Sequence, residues 1–341
     1  MAGTIERISR TDPETGVKIL QLTSFPLIHY HQYIYGQWIA PDAKSLLLFG
    51  YREPRRDSPI DVWRVSSDGS GLEKLVEGGS WSAVSPDSTT AYVGGGSAIM
   101  RAPMAGGGNA EPLVRLLDYG GVMVNAVSPD GRWLFCHAGP KSGGVHVLRV
   151  EVATGKVDVI HRPGRLMHLQ IHGTNGLLAN MQPEAREIGI WTCSFNGDDV
   201  RKLPFARSTN HFASLGNTGR VITTVHGGGC AIEVATPGEP KVDIVAQGVG
   251  FWHPTSDASG EWAVADTNWP DVGMFLVHVP SGRHRKLCTT GASGGHPQWT
   301  HAHPRLAPDA SYVVFDSDRT GICHVYLAFV PEEMKAALRK G

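Results

Sequence analysis

The stretch VSPDGRWLFCHA, residues 127–138, joins a Ser-Pro-Asp-Gly turn to a run of apolar, β-forming residues. Pro, Asp and Gly in that order make a tight turn, and the apolar run after it reads as a strand. The unit recurs. IAPDAKSLLLFG (39–50), VSPDSTTAYVGG (84–95) and LAPDASYVVFDS (306–317) are clear copies, and HGTNGLLANM (172–181), LGNTGRVITTV (215–225) and TSDASGEWAVAD (255–266) are looser ones. The residue at the Asp position is Asp42, Asp87, Asp130, Asn175, Thr218, Ser259 and Asp309, at spacings of 45, 43, 45, 43, 41 and 50. A period of roughly 40–45 residues is the length of a four-stranded propeller blade, so seven copies predict an all-β, seven-bladed β-propeller. The chain is expected to form one such domain over 1–341.

Within each blade the segment before the turn is expected to be the innermost strand and the run after it the second. DVWRVSSDG, VHVLRVEVATG, IGIWTCSFNG and MFLVHVPSGRH then supply third strands, and EKLVEG, VDVIHR and RKLCTT fourth strands. VKILQLTS at 17–24 has no blade of its own and is predicted to pair with the last blade, closing the ring and removing a free sheet edge. Only PEEMKAALRK at 331–340 has a helix pattern, with Pro first, acids in the first turn and bases in the last.

Composition agrees with many short strands and turns: 42 glycines and 22 prolines accompany 41% hydrophobic residues. Lys+Arg 31 against Asp+Glu 32 leaves a net charge of -1, without the basic excess that phosphate neutralisation requires, so nucleic acid is not an expected partner. No apolar window is long enough for a membrane helix, and MAGTIERISR lacks the apolar run of a signal peptide. A cytoplasmic protein is expected. The five cysteines, Cys136, Cys193, Cys230, Cys288 and Cys323, are widely spaced with no C-x-x-C pair and are expected as free thiols.

Residues at one offset before the turn in different blades converge at the channel mouth of a propeller. In the last four blades that offset holds His168, His211, His253 and His303. In GHPQWTHAHPRLAPD, His301 and His303 stand two apart, as for two side chains on one face of an extended strand. With Gln298 upstream and His253 from the preceding blade they offer three neutral nitrogens and one amide oxygen. That set suits a labile divalent ion in an open site, Mn²⁺ in preference to Zn²⁺, with another divalent metal as the alternative. Gly291–Gly295 matches G-x-S-x-G but lacks the strand and helix of a nucleophile elbow. The glycine runs at 94–96, 106–108 and 227–229 read as hairpin turns, and Arg319 in SDRTG as structural. Tyr35 and Trp81 fall near the histidine offset in the first two blades, where an aromatic face either packs in the core or supports a sugar ring.

The last blade, Gln298-Trp-Thr-His301-Ala-His303-Pro followed by LAPDASYVVFDSDRTG, resembles the oligogalacturonate lyases, seven-bladed propellers related to that of TolB. The resemblance is loose over the whole repeat and specific over about 168–326. It implies cytoplasmic β-elimination on short uronic-acid oligosaccharides of pectin, with a Mn²⁺-bound carboxylate. It implies His253, Gln298, His301 and His303 as metal ligands, His211 as the catalytic base, and His168 at the place of another family histidine. The chain departs in Gly189, where the family carries an arginine two residues before the Trp matched by Trp191; Arg186 in the neighbouring loop is the candidate to take its place. His168, Arg186 and Trp81 are thus the expected substrate contacts. The alternatives are a TolB-like propeller serving as a protein-interaction or ligand-binding module, and a metal-dependent hydrolase or epimerase built on the same residues.

Overall fold

A computed structural model describes residues 7–55, 57–184, 186–205, 211–225 and 230–340. In it six four-stranded antiparallel sheets and one five-stranded sheet form the seven blades of a β-propeller. The first six span 29–76, 82–115, 119–161, 166–202, 212–247 and 251–288, and the seventh joins 305–329 to 8–21.

The repeated turn forms for a local electrostatic reason. In the third blade Ser128 Oγ donates to Asp130, Asp130 Oδ1 accepts from Arg132 N at 3.0 Å, and Trp133 N donates back to Ser128 Oγ at 2.9 Å. The sixth blade exchanges the two residues: Ser259 Oγ donates to Asp257, whose Oδ1 accepts from Trp262 N at 2.9 Å. The pattern of donors and acceptors survives although the sequence SPDG has become DASG. One residue later the turn demands a left-handed backbone, held by Gly131 at φ 72° and Gly260 at φ 73° but by Ala43 and Ala310 at φ 57° and 55°.

The ring closes as expected from 17–24. Lys18–Gln21 pairs antiparallel with the third strand of the last blade, with Ile19, Leu20 and Gln21 opposite Ala328, Leu327 and Tyr326. A further strand, Ile8–Thr11, pairs outside it and makes that blade five-stranded. All four of its side chains are exposed, so it carries no alternating apolar signal and escapes a sequence reading. The helix forms over Glu332–Lys340 and buries Met334 and Leu338. Of the 94–96 glycines only Gly96 lies in the turn, Gly94 and Gly95 belonging to the strand before it; the 106–108 glycines lie in the connection between two strands, and the run at 227–229 lies outside the described residues.

Contacts group the chain into two units: Met1–Ile34, Val65–Leu72 and Pro204–Gly341 in one, and Tyr35–Arg64 and Glu73–Leu203 in the other. In the first, Trp262, Val264 and Leu276 of the sixth blade pack with Phe315 and Tyr326 of the seventh, Ile19, and Met334 and Leu338 of the helix. Ile222 and Ile232 of the fifth blade meet Phe251 and Val277 of the sixth. In the second unit Tyr92 packs with Val122, Leu134 and Leu148, and Phe135 with Leu177 and Trp191. Burying each of these large side chains contributes roughly 1.5–3 kcal/mol, so within each unit these blades hold one another through shared apolar faces. All five cysteines are free thiols, and no helix among the described residues is long and apolar enough to cross a membrane.

Candidate functional site

The first strand of the sixth blade, Phe251–Ser256, slips register against the second between Phe251 and Pro254, a bulge at Trp252 and His253. A bulge re-aims a side chain out of the strict alternation of a strand. His253, 1% exposed, lies against Asp266 on that second strand. His253 N donates to Asp266 Oδ1 at 2.8 Å, and Nδ1 lies 3.0 and 2.9 Å from the two carboxylate oxygens. The carboxylate thereby places the ring proton on Nδ1 and the lone pair on Nε2. Burial pushes the Asp266 carboxyl up to about 7, against the backbone N–H groups of His253 and His303 that favour its anion.

His301 and His303 converge by a different route from the extended strand expected for them. They occupy irregular chain between the 3-10 turn Gln298–Thr300 and the short strand Arg305–Leu306. His301 is extended, whereas His303 has φ 45°, a left-handed backbone that turns its ring parallel to that of His301, with centroids 5.4 Å apart and planes 13° from parallel. His303 also stands edge-on to His253, centroids 4.3 Å apart. It is 2% exposed, and its Nε2 is a buried nitrogen without a hydrogen-bond partner among the described residues. Burial first, then the neighbouring His253, His31, His301 and His211, hold its pKa well below the ordinary value, so the ring is neutral. His301 Nε2 donates to Gly295 O at 2.8 Å.

His211 immediately precedes the first strand of the fifth blade. Its carbonyl accepts from Thr223 Oγ1 at 2.8 Å, and its ring meets that of His253 edge-on at 4.3 Å. Gln298 is exposed at the start of the 3-10 turn. His211, His253, His301 and His303 are therefore gathered within one unit, from three successive blades.

The three residues expected to touch substrate belong to the other unit. His168, at φ 60° in the bulged first strand of the fourth blade, stacks on Tyr35 with centroids 4.2 Å apart. Arg186 lies over the Trp191 ring at 5.3 Å and donates to Val200 O at 3.2 Å, and Trp81 is half-buried. Ser293 of the G-x-S-x-G match donates to Asp318 at 2.6 Å, in a segment without strand or helix. Arg319 donates to Thr289 O at 3.1 Å, to Thr290 O, and to Ser317 Oγ at 3.1 Å, a structural role as expected.

Several residues of the site carry no motif. Asp316 occupies the same place in YVVFDS that Asp266 occupies in WAVADT, and its Oδ1 accepts from His31 N at 3.0 Å. Aligning the repeats would have exposed this shared buried aspartate. Tyr33, at φ 68°, is set edge-on to His303 at 4.4 Å and donates its backbone N–H to His31 Nδ1 at 3.1 Å. His31 is lowered to about 3, by burial above all, with the positive charge of Arg305 contributing. The interrupted inner strand of the first blade, which stops at His31, concealed both residues. Trp269, 66% exposed, stands beside His301 at 5.6 Å and Trp252 at 5.4 Å.

Among the described residues no three His, Cys, Asp or Glu side chains are already placed to hold a metal ion. The chemistry of the donors nonetheless fits one. His303 presents a neutral, unsatisfied buried nitrogen, and His253 is oriented by a carboxylate in the way metal-binding imidazoles are. His301 would exchange its hydrogen bond to Gly295 for the ion.

No protein-family model matches the sequence, and no curated protein does. Solved structures do. The chain is 19% identical to an oligogalacturonate lyase from Vibrio parahaemolyticus, with a TM-score of 0.77 over 96% of this chain and 97% of that one. It is 18% identical to an oligogalacturonate lyase in complex with manganese, with a TM-score of 0.81 over 98% of each chain. A puromycin-hydrolyzing peptidase from Mycobacterium tuberculosis is 14% identical, with a TM-score of 0.54 over 93% of this chain and 57% of that one. These likenesses establish the fold, and over nearly its full length the chain resembles the oligogalacturonate lyases in its seven-bladed propeller.

Proposed function

We propose that the protein is a metal-dependent lyase that cleaves short uronic-acid oligosaccharides, of the oligogalacturonate type released from pectin, by β-elimination in the cytoplasm. The observation that carries this reading is the group of imidazoles His253, His301 and His303, with the His211 ring 4.3 Å from that of His253; the role of base rather than ligand is our assignment for His211. His253, His301, His303 and Gln298 would hold a divalent ion, Mn²⁺ first because a structure of the same fold contains manganese. When bound, the ion supplies positive charge beside a substrate carboxylate, where negative charge grows as the adjacent carbon loses its proton.

His211 is the proposed base. It accepts the C5 proton, the electron pair left on C5 forms the C4–C5 double bond, and the C4–O4 bond breaks with its electrons leaving on oxygen. No water is consumed. Asp266 keeps His253 in one tautomer, and Tyr33 packs over His303 and excludes solvent from it. His168, Arg186 and Trp81 are proposed as contacts to the sugar on their chemistry alone: two rings with apolar faces and one carboxylate-binding fork.

The test pairs elemental analysis of the purified protein with digalacturonate and a near-ultraviolet assay for the unsaturated product, with and without Mn²⁺. Bound metal and rising absorbance are expected. Cleavage that gives new reducing ends without that absorbance would replace elimination by hydrolysis, and a protein that takes up no metal would return the fold to a binding role.

A further inference from the structure

Arg305 opens the first strand of the seventh blade, two residues after His303, and is half-buried. Its Nη1 donates to Ile34 O at 2.8 Å. A guanidinium carries five N–H donors in a rigid fork, and that bond uses one of them. Among the described residues it makes no other hydrogen bond and no ion pair. Elsewhere the partly buried guanidinium groups are matched: Arg64 pairs with Glu73, Arg149 with Asp158, and Arg220 with Asp243. Arg283 and Arg319, which lack a carboxylate, spend their donors on several backbone carbonyls. Arg305 is the exception: a half-buried cation whose Nε and Nη2 donors make no hydrogen bond to the described residues.

Such a charge is costly to keep unless something outside the fold completes it. The bond to Ile34 pins the fork in one orientation, which favours a planar, two-oxygen acceptor over a point charge. We propose that Arg305 is an anion subsite beside the histidine site and binds a carboxylate of the ligand through its Nε and Nη2 donors. On the lyase reading, on which this assignment to a uronate rests, Arg305 supplies a carboxylate fork in addition to the one proposed for Arg186, in a chain whose Gly189 offers none.

The test uses the full chain loaded with Mn²⁺, with D-galacturonate, which contains no bond to eliminate, as ligand and D-galactose as the neutral control. Galacturonate is expected to raise the melting temperature of the wild type and galactose to leave it unchanged. In Arg305→Met the galacturonate shift disappears, metal content stays the same, and KM for digalacturonate rises about 10- to 100-fold, the loss of a charge-assisted bidentate contact. Arg305→Lys keeps the charge without the fork and recovers only part of the affinity. Arg305→Met without ligand should melt no lower than the wild type, whereas a purely structural arginine would melt lower when removed. Both variants binding galacturonate and digalacturonate as the wild type does would overturn the proposal and leave the lyase reading standing. A galacturonate shift lost on mutation, in a protein that cleaves no uronide, would keep Arg305 as a carboxylate site and overturn the lyase. Absence of any galacturonate shift in the wild type would remove both.

Discussion

Asp266 shows how one buried side chain organises chemistry it does not perform. It touches His253 through the backbone N–H and the ring, so it sets both where the imidazole sits and which nitrogen carries the proton. Asp266→Asn keeps the shape and removes the charge. Metal affinity is expected to fall about 10- to 100-fold, read by titrating Mn²⁺ into the purified variant, with the far-ultraviolet circular dichroism unchanged. His211→Ala is expected to keep the metal and lower kcat by about 10²–10⁴-fold, as for a lost general base; loss of metal from that variant would make His211 a ligand instead. A purely conformational residue offers a control away from the site. A Cβ on Gly131 would meet only Pro86, at 3.8 Å, so space is available and the φ of 72° is the obstacle. Gly131→Ala should therefore cost about 1–2 kcal/mol in urea unfolding, the ordinary penalty of a left-handed L-residue, without touching metal content.

Among the elements, the N-terminal strand pair depends on a clamp as well as on its ladder. Asp12 follows the outermost strand, and its carboxylate accepts from Thr289 N at 2.9 Å and Thr289 Oγ1 at 2.6 Å, and from Thr15 N at 2.9 Å. Burial opposes the ionised form, but these bonds from Thr289 and Thr15 outweigh it and lower the pKa from 3.8 to about 2. A pKa lower in the folded chain than in the unfolded one stabilises the fold above pH 3.8, and that contribution drains away as the pH falls from there to about 2. Asp12→Ala should lose about 1–3 kcal/mol near neutral pH, and its deficit against the wild type should close across that acid window when urea midpoints are compared. A deficit independent of pH would assign the loss to packing. The bulged inner strands make the complementary point: at His168 and His253 the ladder gives up regular pairing to aim an imidazole.

For the whole molecule, the apolar faces that stabilise the fold are built from other residues than the histidines proposed to hold a metal. Each blade is held by its own strand ladders, and blades of one unit are joined by apolar faces such as that of Trp262, Phe315 and Tyr326, none of which needs the histidines. Stripping the ion with a chelator should abolish turnover reversibly while the circular dichroism of the propeller persists; cooperative unfolding on chelation would show that the metal is part of the fold.

The sequence by itself determined the number of blades, their boundaries, the closing strand at 17–24 and the helix, because each rests on a local signal that repeats: a turn that satisfies its own backbone and an alternation that reports one buried face. It also singled out the histidines, since an offset common to several repeats survives in one dimension. It could not see Asp266, Asp316, His31, Tyr33 or Arg305. These matter through partners far along the chain, as His31 with Asp316 and Arg305 with Ile34, and through backbone turns at Tyr33 and His303 that break the very periodicity on which such reading depends. The outer strand Ile8–Thr11 was hidden for the opposite reason, having no buried face to announce it. Proximity of that kind exists only once strand pairing has brought distant segments together, and there the structure alone decides which charge is paired and which nitrogen is left over.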